Sequence, residues 1–411
     1  MRRDRLTVIL GAGASAAAGA PTAHELSQSI LSMQSPRIIP DHPEFLRWPK
    51  DIGSPVHMAG RPPSVATIEL IKRGLLLGQQ DLNFEIVLHA IETLETYAAT
   101  ISHAPETLHV RPVIASFTDP MPRFQQLFNY SALVATRWEI IHLIRSTIME
   151  SLANAPADVT SASRSFINEL RLAFGLDVQD LNYDTLWDSF GLVDGFRSED
   201  TAHSVFDRRA FAQALEDGSD IMCHTHGSIL YGYPMPGSSV TMEPRSLVKY
   251  QEPEEASQSL AYLREPRYIE SILDEEAPII SGAHKIQKLS SAPYSYYYEA
   301  FQRAIQRNSR LMFIGYGFSD PHFNRWALEL IRIHGNTSKV AIIDKKPERG
   351  VKWSLPINQT FCEVAKQLGN GSLDLTRDAR ELAICGGIAI SGFGYPLRSD
   401  LTAKLIRWLK D

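Results

Sequence analysis

Five short motifs hold the residues whose types and spacing suit chemistry on a charged, phosphorylated substrate. The first is Gly11-Ala12-Gly13-Ala14-Ser15-Ala16, placed directly after the apolar run Thr7–Leu10, with Gly19-Ala20-Pro21-Thr22 close behind. A glycine turn after a buried strand lets backbone approach a pyrophosphate, and the following helix offers free N–H groups and a positive dipole end. Gly11, Gly13 and Ala16 satisfy the dinucleotide spacing G-x-G-x-x-G/A. About 20 residues on, where that fingerprint wants an acid, stand Ser27, Gln28, Ser29 and Pro36, which argues against an ordinary dehydrogenase. Three further motifs follow: Leu181-Asn182-Tyr183-Asp184-Thr185, His224-Thr225-His226-Gly227-Ser228, and Ile314-Gly315-Tyr316-Gly317-Phe318-Ser319-Asp320-Pro321.

Taken singly, each has a structural explanation. Asn182 and Asp184 suit a loop or the N-cap of a helix beginning near Thr185. Gly315 and Gly317 suit a turn, and His226 a hydrogen-bonded structural histidine. Asp344 ends the apolar run Val340–Ile343, where a carboxylate either accepts ribose hydroxyls or caps the turn into Lys345-Lys346-Pro347.

The elements that must position these residues alternate. Strands are expected at Gly175–Leu181, Ile221–His226, Leu311–Gly315 and Val340–Asp344, with helices among them, the pattern of a parallel α/β sheet. After the glycine turn, residues 31–80 begin proline-rich and irregular, then turn helical around Ala66–Leu77. Apolar spacing at Phe84, Val87, Leu88, Ile91 and Leu94 marks an amphipathic helix, with others at Trp138–Leu152 and Ser163–Phe174. The expected fold is therefore a Rossmann-like parallel sheet with a large helical insertion after the phosphate loop. The divisions expected are 1–30 with 170–350 as a split nucleotide-binding domain, 31–169 as the insertion, 190–290 as a smaller module, and 351–411 as a C-terminal α/β extension.

Composition sets outer bounds. The chain of 411 residues is 44% hydrophobic with a net charge of -6, enough apolar mass for a large core and no basic field for nucleic acid or membrane surfaces. Cys223, Cys362 and Cys385 lack pairing spacing, which suits a reducing compartment. A cytoplasmic protein without a membrane span is expected. Arg2 and Arg3 before the apolar stretch, with Ala16, Ala18 and Ala20, imitate a secretory leader. Against that reading, three glycines dilute the apolar stretch and Asp4 and Arg5 interrupt its entry.

In their order, the motifs resemble the sirtuin-like (SIR2) superfamily, specifically the prokaryotic SIR2-like proteins of anti-phage defence. The resemblance spans residues 7–344. It assigns Gly11, Ala12, Gly13, Ser15 and Pro21, with Thr22 beside them, to NAD binding. It puts Asn182 and Asp184 beside the nicotinamide ribose and makes His226, which precedes glycine, the catalytic histidine rather than His224. Gly315, Gly317, Ser319 and Asp320 would contact the adenosine ribose and phosphates. Classical sirtuin deacylases hold a structural zinc with two Cys-x-x-Cys pairs, and no such pair occurs here. The metal-dependent module is expected to be replaced within 190–290. His224 and His226, two apart on one strand face, are not expected to bind metal.

The chemistry this implies is cleavage of the N-glycosidic bond of NAD+, the substrate, to nicotinamide and ADP-ribose. Asn182 would hold water or ribose hydroxyls, and His226 would act as general base, imidazole ordinarily titrating near pH 6.5. Asp184 would orient the nicotinamide or ribose. An NAD-dependent deacylase or ADP-ribosyltransferase, and a non-catalytic NAD or ADP-ribose sensor, are the alternatives. Gating by homo-oligomerisation or by a defence-system partner is expected, because unrestrained NAD cleavage would poison its host. The insertion and the run Tyr294, Tyr296, Tyr297, Tyr298 are the candidate contact surfaces, the tyrosines mainly packing internally.

Overall fold

The structure is a computed structural model that describes residues 3–32, 68, 71, 83–103, 130–198, 203–233, 247–261, 278–281, 289–318, 320–344, 364, 367–368, 382–391 and 395–411. The proline-rich stretch after the first helices, nearly all of the segment expected to turn helical at Ala66–Leu77, and Ser319 lie outside them.

The strands are β1 (Arg5–Leu10), β2 (Gly175–Asp180), β3 (Phe196–Ser198), β4 (His203–Phe206), β5 (Ile221–His224), β6 (Tyr231–Gly232), β7 (Val248–Tyr250), β8 (Arg310–Ile314), β9 (Lys339–Ile343), β10 (Ala383–Cys385) and β11 (Ile388–Ser391). The helices are α1 (Ala12–Ala16), α2 (Ala23–Leu31), α3 (Phe84–His103), α4 (Tyr130–Ala153), α5 (Ala157–Ala173), α6 (Arg208–Asp217), α7 (Pro253–Ala261), α8 (Tyr294–Arg307), α9 (Pro321–His334) and α10 (Ser399–Lys410).

Seven strands form the main sheet in the order β10-β11-β9-β8-β1-β2-β5, parallel except for the antiparallel edge strand β10. Without β10, the parallel strands run in the doubly wound Rossmann order, with the reversal at β1 and β8. The fold class is therefore α/β and Rossmann-like. β10, β11 and α10, from the 351–411 segment, belong to this same sheet and its helical cover.

Side chains alternate across the sheet with period two. Leu6, Val8 and Leu10 of β1, Met312 and Ile314 of β8, and Ala341 and Ile343 of β9 pack with Phe166, Ile167 and Leu170 of α5 and Leu401, Leu405 and Leu409 of α10. Ile9, Leu311, Phe313, Val340 and Ile342 face the other way, against Phe301 and Ile305 of α8 and Phe323, Ala327 and Leu330 of α9. Both faces are covered, which is why these strands read as near-continuous apolar runs. A separate apolar cluster joins α2, α3 and α4 to Ile229, Tyr231, Ile279, Tyr294 and Tyr297. Of the run Tyr294, Tyr296, Tyr297 and Tyr298, Tyr294 and Tyr297 are fully buried. A second, antiparallel sheet of order β3-β4-β7-β6 lies within residues 196–250.

Register decides where the site lies. Leu10 pairs with Asp180 and Ile314, Asp180 with His224, and Ile314 with Ile343. The residues that follow these five neighbours, from Gly11 to Asp344, therefore emerge side by side at the C-terminal edge. β5 stops at His224 rather than His226. Thr225 donates to the Asp180 carbonyl, and Gly227, at φ +91, turns the chain so that its N–H reaches the His224 carbonyl.

Candidate functional site

Two glycine loops meet at the point where strand order reverses. Gly11 N–H donates to the Ile314 carbonyl and Gly13 N–H to the Gly315 carbonyl, both at 2.9 Å. A Cβ on Gly315, whose φ is +57, would lie 2.1 Å from Ala14 N, and one on Gly13 would lie 2.7 Å from Gly315 Cα. The glycines of both motifs are thus required first by each other. Gly317 differs, because a Cβ there would point into open space.

Asn182 locks this junction from β2. Its Nδ2 donates to the Gly11 carbonyl at 3.0 Å and to Ser15 Oγ at 3.3 Å, and its backbone N–H donates to Asp180 Oδ1 at 2.9 Å. With Nδ2 engaged, Oδ1 is the acceptor its side chain presents to a ligand. Asp184 accepts from Leu186 N–H at 3.0 Å and pairs with Ser15. Burial pushes its carboxyl above the usual carboxylate range, against the pull of those hydrogen bonds. The helix expected near Thr185 is instead a single 3-10 turn at Asp188–Phe190.

The two histidines part company at the turn and do not share a strand face. His224 is fully buried, with Nε2 3.2 Å from Asp188 Oδ2 and Nδ1 3.7 Å from Asp180 Oδ2, beyond hydrogen-bond reach. Lys249 bonds Asp188 and, at 2.6 Å, Asp194. These partners hold Asp188 below the usual carboxylate range despite its burial, whereas burial holds Asp180 well above it. His226 instead points its Nε2 at Asp320 Oδ2, 3.4 Å away, with its ring edge-on to Phe323. Among the described residues no group of three or more His, Cys, Asp or Glu side chains is arranged to hold a metal ion.

Asp320 is also the N-cap of α9, its Oδ1 accepting from His322 N–H at 2.9 Å, with Pro321 opening the helix. The loop before it is braced by the side chains of Tyr316 and Asn324. Tyr316 Oη donates to the Asp320 carbonyl at 3.0 Å and pairs with Asn324 Oδ1 at 2.9 Å, and Asn324 Nδ2 donates to the Phe318 carbonyl at 2.7 Å. Phe318 sits at φ +53, a conformation costly for an aromatic residue and maintained by this bracing.

The remaining candidates lie at the margin. Thr22 is the N-cap of α2 in a capping box with Glu25, which accounts for its hydroxyl, and Pro21 precedes it half-buried. Ala12 opens α1. Asp344 follows β9, one strand beyond β8, and its N–H donates to the Ser391 carbonyl at 3.0 Å. The structure therefore brings together Gly11, Gly13, Ser15, Asn182, Asp184 and Gly315 in one knot, and His226 with Asp320 in a second. Ile229 N–H, donating to the Tyr183 carbonyl at 2.8 Å, joins the histidine loop to the asparagine turn.

No curated protein matches the chain. A family model does, over the stretch that contains Asn182, Asp184, His226, Gly315, Gly317, Asp320 and Asp344 but not β1 and its glycine turn. That model is the SIR2-like domain, matched by residues 178–355, and over that stretch the match supports the SIR2-like superfamily.

Proposed function

We propose that this chain is an NAD+ glycohydrolase, cleaving NAD+ to nicotinamide and ADP-ribose. The observation that carries the reading is the meeting of the Gly11–Ser15 turn, Asn182 and the His226–Asp320 pair at the C-terminal edge of a doubly wound sheet, where strand order reverses. Ligands of such sheets bind in that crevice.

Cleavage of the glycosidic bond releases neutral nicotinamide and leaves positive charge on the ribose, which water must capture. Asn182 Oδ1 orients the water or a ribose hydroxyl. His226, with Nε2–H directed to Asp320, presents Nδ1 as the base that collects the proton. Asp320 fixes the ring, as the carboxylate does in other carboxylate–histidine pairs. Asp184, when ionised, favours positive charge on the ribose. The cellular role we assign is depletion of NAD during phage infection, gated by assembly or by a partner, with the α2–α4 layer as the means.

The test is nicotinamide release by the purified chain with and without an acetyl-lysine peptide, over a range of protein concentrations. Equal amounts of nicotinamide and ADP-ribose without peptide are expected. Turnover only with the peptide would make it a deacylase, and NAD+ binding without release would make it a sensor.

A further inference from the structure

Arg145, in the middle of α4, has a fully buried side chain. Its guanidinium donates to the Tyr231 carbonyl at 2.9 Å, to the Ile229 carbonyl in a closer contact, and through Nε to Ser257 Oγ at 3.2 Å. All these acceptors are neutral, and burial pulls the group down to about 9 from its usual range. An apolar side chain of similar volume would fill the space at lower desolvation cost. What the arginine adds is geometry, a planar fork on two carbonyls of one short segment.

That segment is the exit from His226. Gly227 and Ser228 lead to Ile229, whose carbonyl takes the Arg145 bond while its N–H holds the Tyr183 carbonyl between Asn182 and Asp184. The opposite side of the loop is fixed by Ile280 N–H on the His226 carbonyl at 2.7 Å and Ser228 N–H on the Pro278 carbonyl at 3.1 Å. α4 in turn packs on α3 and on α2, which follows the glycine turn.

We propose that Arg145 is a positioning residue, the point through which the helical layer sets His226 and Asn182 in register and thereby controls turnover. The proposal rests on the reading of the site as NAD-cleaving. It is tested with Arg145→Met and Arg145→Lys in the full chain, measuring kcat and KM for nicotinamide release together with amide hydrogen exchange.

For Arg145→Met, kcat should fall about tenfold or more with KM within about threefold, since small misplacements of reacting groups are costly to the chemical step. Arg145→Lys should recover part of that loss. In both variants exchange should accelerate at residues 229–231 and leave β1, β8 and β9 protected. Parental kcat and unchanged exchange in Arg145→Met would overturn the proposal. Should that variant fail to fold, Arg145→Lys decides by the same two readouts. If the purified parent releases no nicotinamide at any protein concentration, exchange alone judges Arg145: local acceleration at residues 229–231 supports it, while uniform acceleration across the chain makes it a plain packing residue.

Discussion

The two edges of the main sheet are built on opposite principles. At the N-terminal edge, charges are paired. Arg5 grips Asp177 through two bonds of 2.8 and 2.6 Å and also donates to the Gly218, Ser219 and Leu176 carbonyls. Arg3 and Arg171 share Asp220, and Asn308 adds a bond to Asp177. Arg310 and Lys339 donate to the last carbonyls of α10, where the helix dipole favours cations. At the C-terminal edge, buried carboxylates stand above their usual range at Asp180 and Asp184, and Phe318 and Gly315 have positive φ. Asp180 Oδ2 and His224 Nδ1 face each other without a hydrogen bond. One edge holds the sheet together. The other spends stability on placing polar groups where a ligand arrives.

The sharpest break of this contrast is at Gly315. Gly315→Ala forces a Cβ into Ala14 N and demands a positive φ, so a loss of about 4 kcal/mol or more is expected, measurable by chemical denaturation. Gly317→Ala, two residues on and facing open space, should change stability by no more than about 0.5 kcal/mol.

Next comes the N-terminal edge. Arg5→Met leaves the mostly buried Asp177 without its bidentate partner, and about 3 kcal/mol of stability should go with it. Turnover per folded molecule should not change. A variant that keeps its stability but loses activity would erase the distinction between the edges.

A further effect has the opposite sign. Because burial raises the Asp184 pKa in the folded chain, folding disfavours the carboxylate. The resulting destabilisation is absent below the ordinary carboxylate pKa of about 3.9 and complete above the raised folded value. Asp184→Asn, which can still accept from Leu186 N–H and bond Ser15, should therefore be more stable than the parent near pH 7 and gain nothing near pH 3, while turnover falls. Denaturation at the two pH values checks this, and a destabilised Asn variant at pH 7 would contradict it.

What the sequence reveals divides along the same line. The strands β1, β8 and β9 are legible because burial on both faces leaves near-continuous apolar runs, and the motifs lie at their ends because ligand groups of such sheets do. The N-terminal edge is not legible. Arg5 and Asp177 are 172 residues apart, and nothing local pairs them. The partition of His224 from His226 depends on the turn at Gly227, which a two-residue spacing cannot convey. The glycines of the first and last motifs were readable as glycines, but not that each is small for the other's sake. Tyr316, Asn324 and Arg145 look like ordinary helix and loop residues until the chain is folded. Their partners are mostly backbone carbonyls, which carry no sequence signature.

The central claim is that the C-terminal edge cleaves NAD+ through Asn182 and His226. It is tested most directly by nicotinamide release from the parent chain, Asn182→Ala, His226→Ala and His224→Ala, with NAD+ affinity measured by calorimetry on each. The account predicts that Asn182→Ala and His226→Ala lose turnover by about 10²-fold or more while affinity changes far less, the scale of positioning and general-base losses. His226→Ala cleaving NAD+ at the parental rate while His224→Ala is inactive would contradict it.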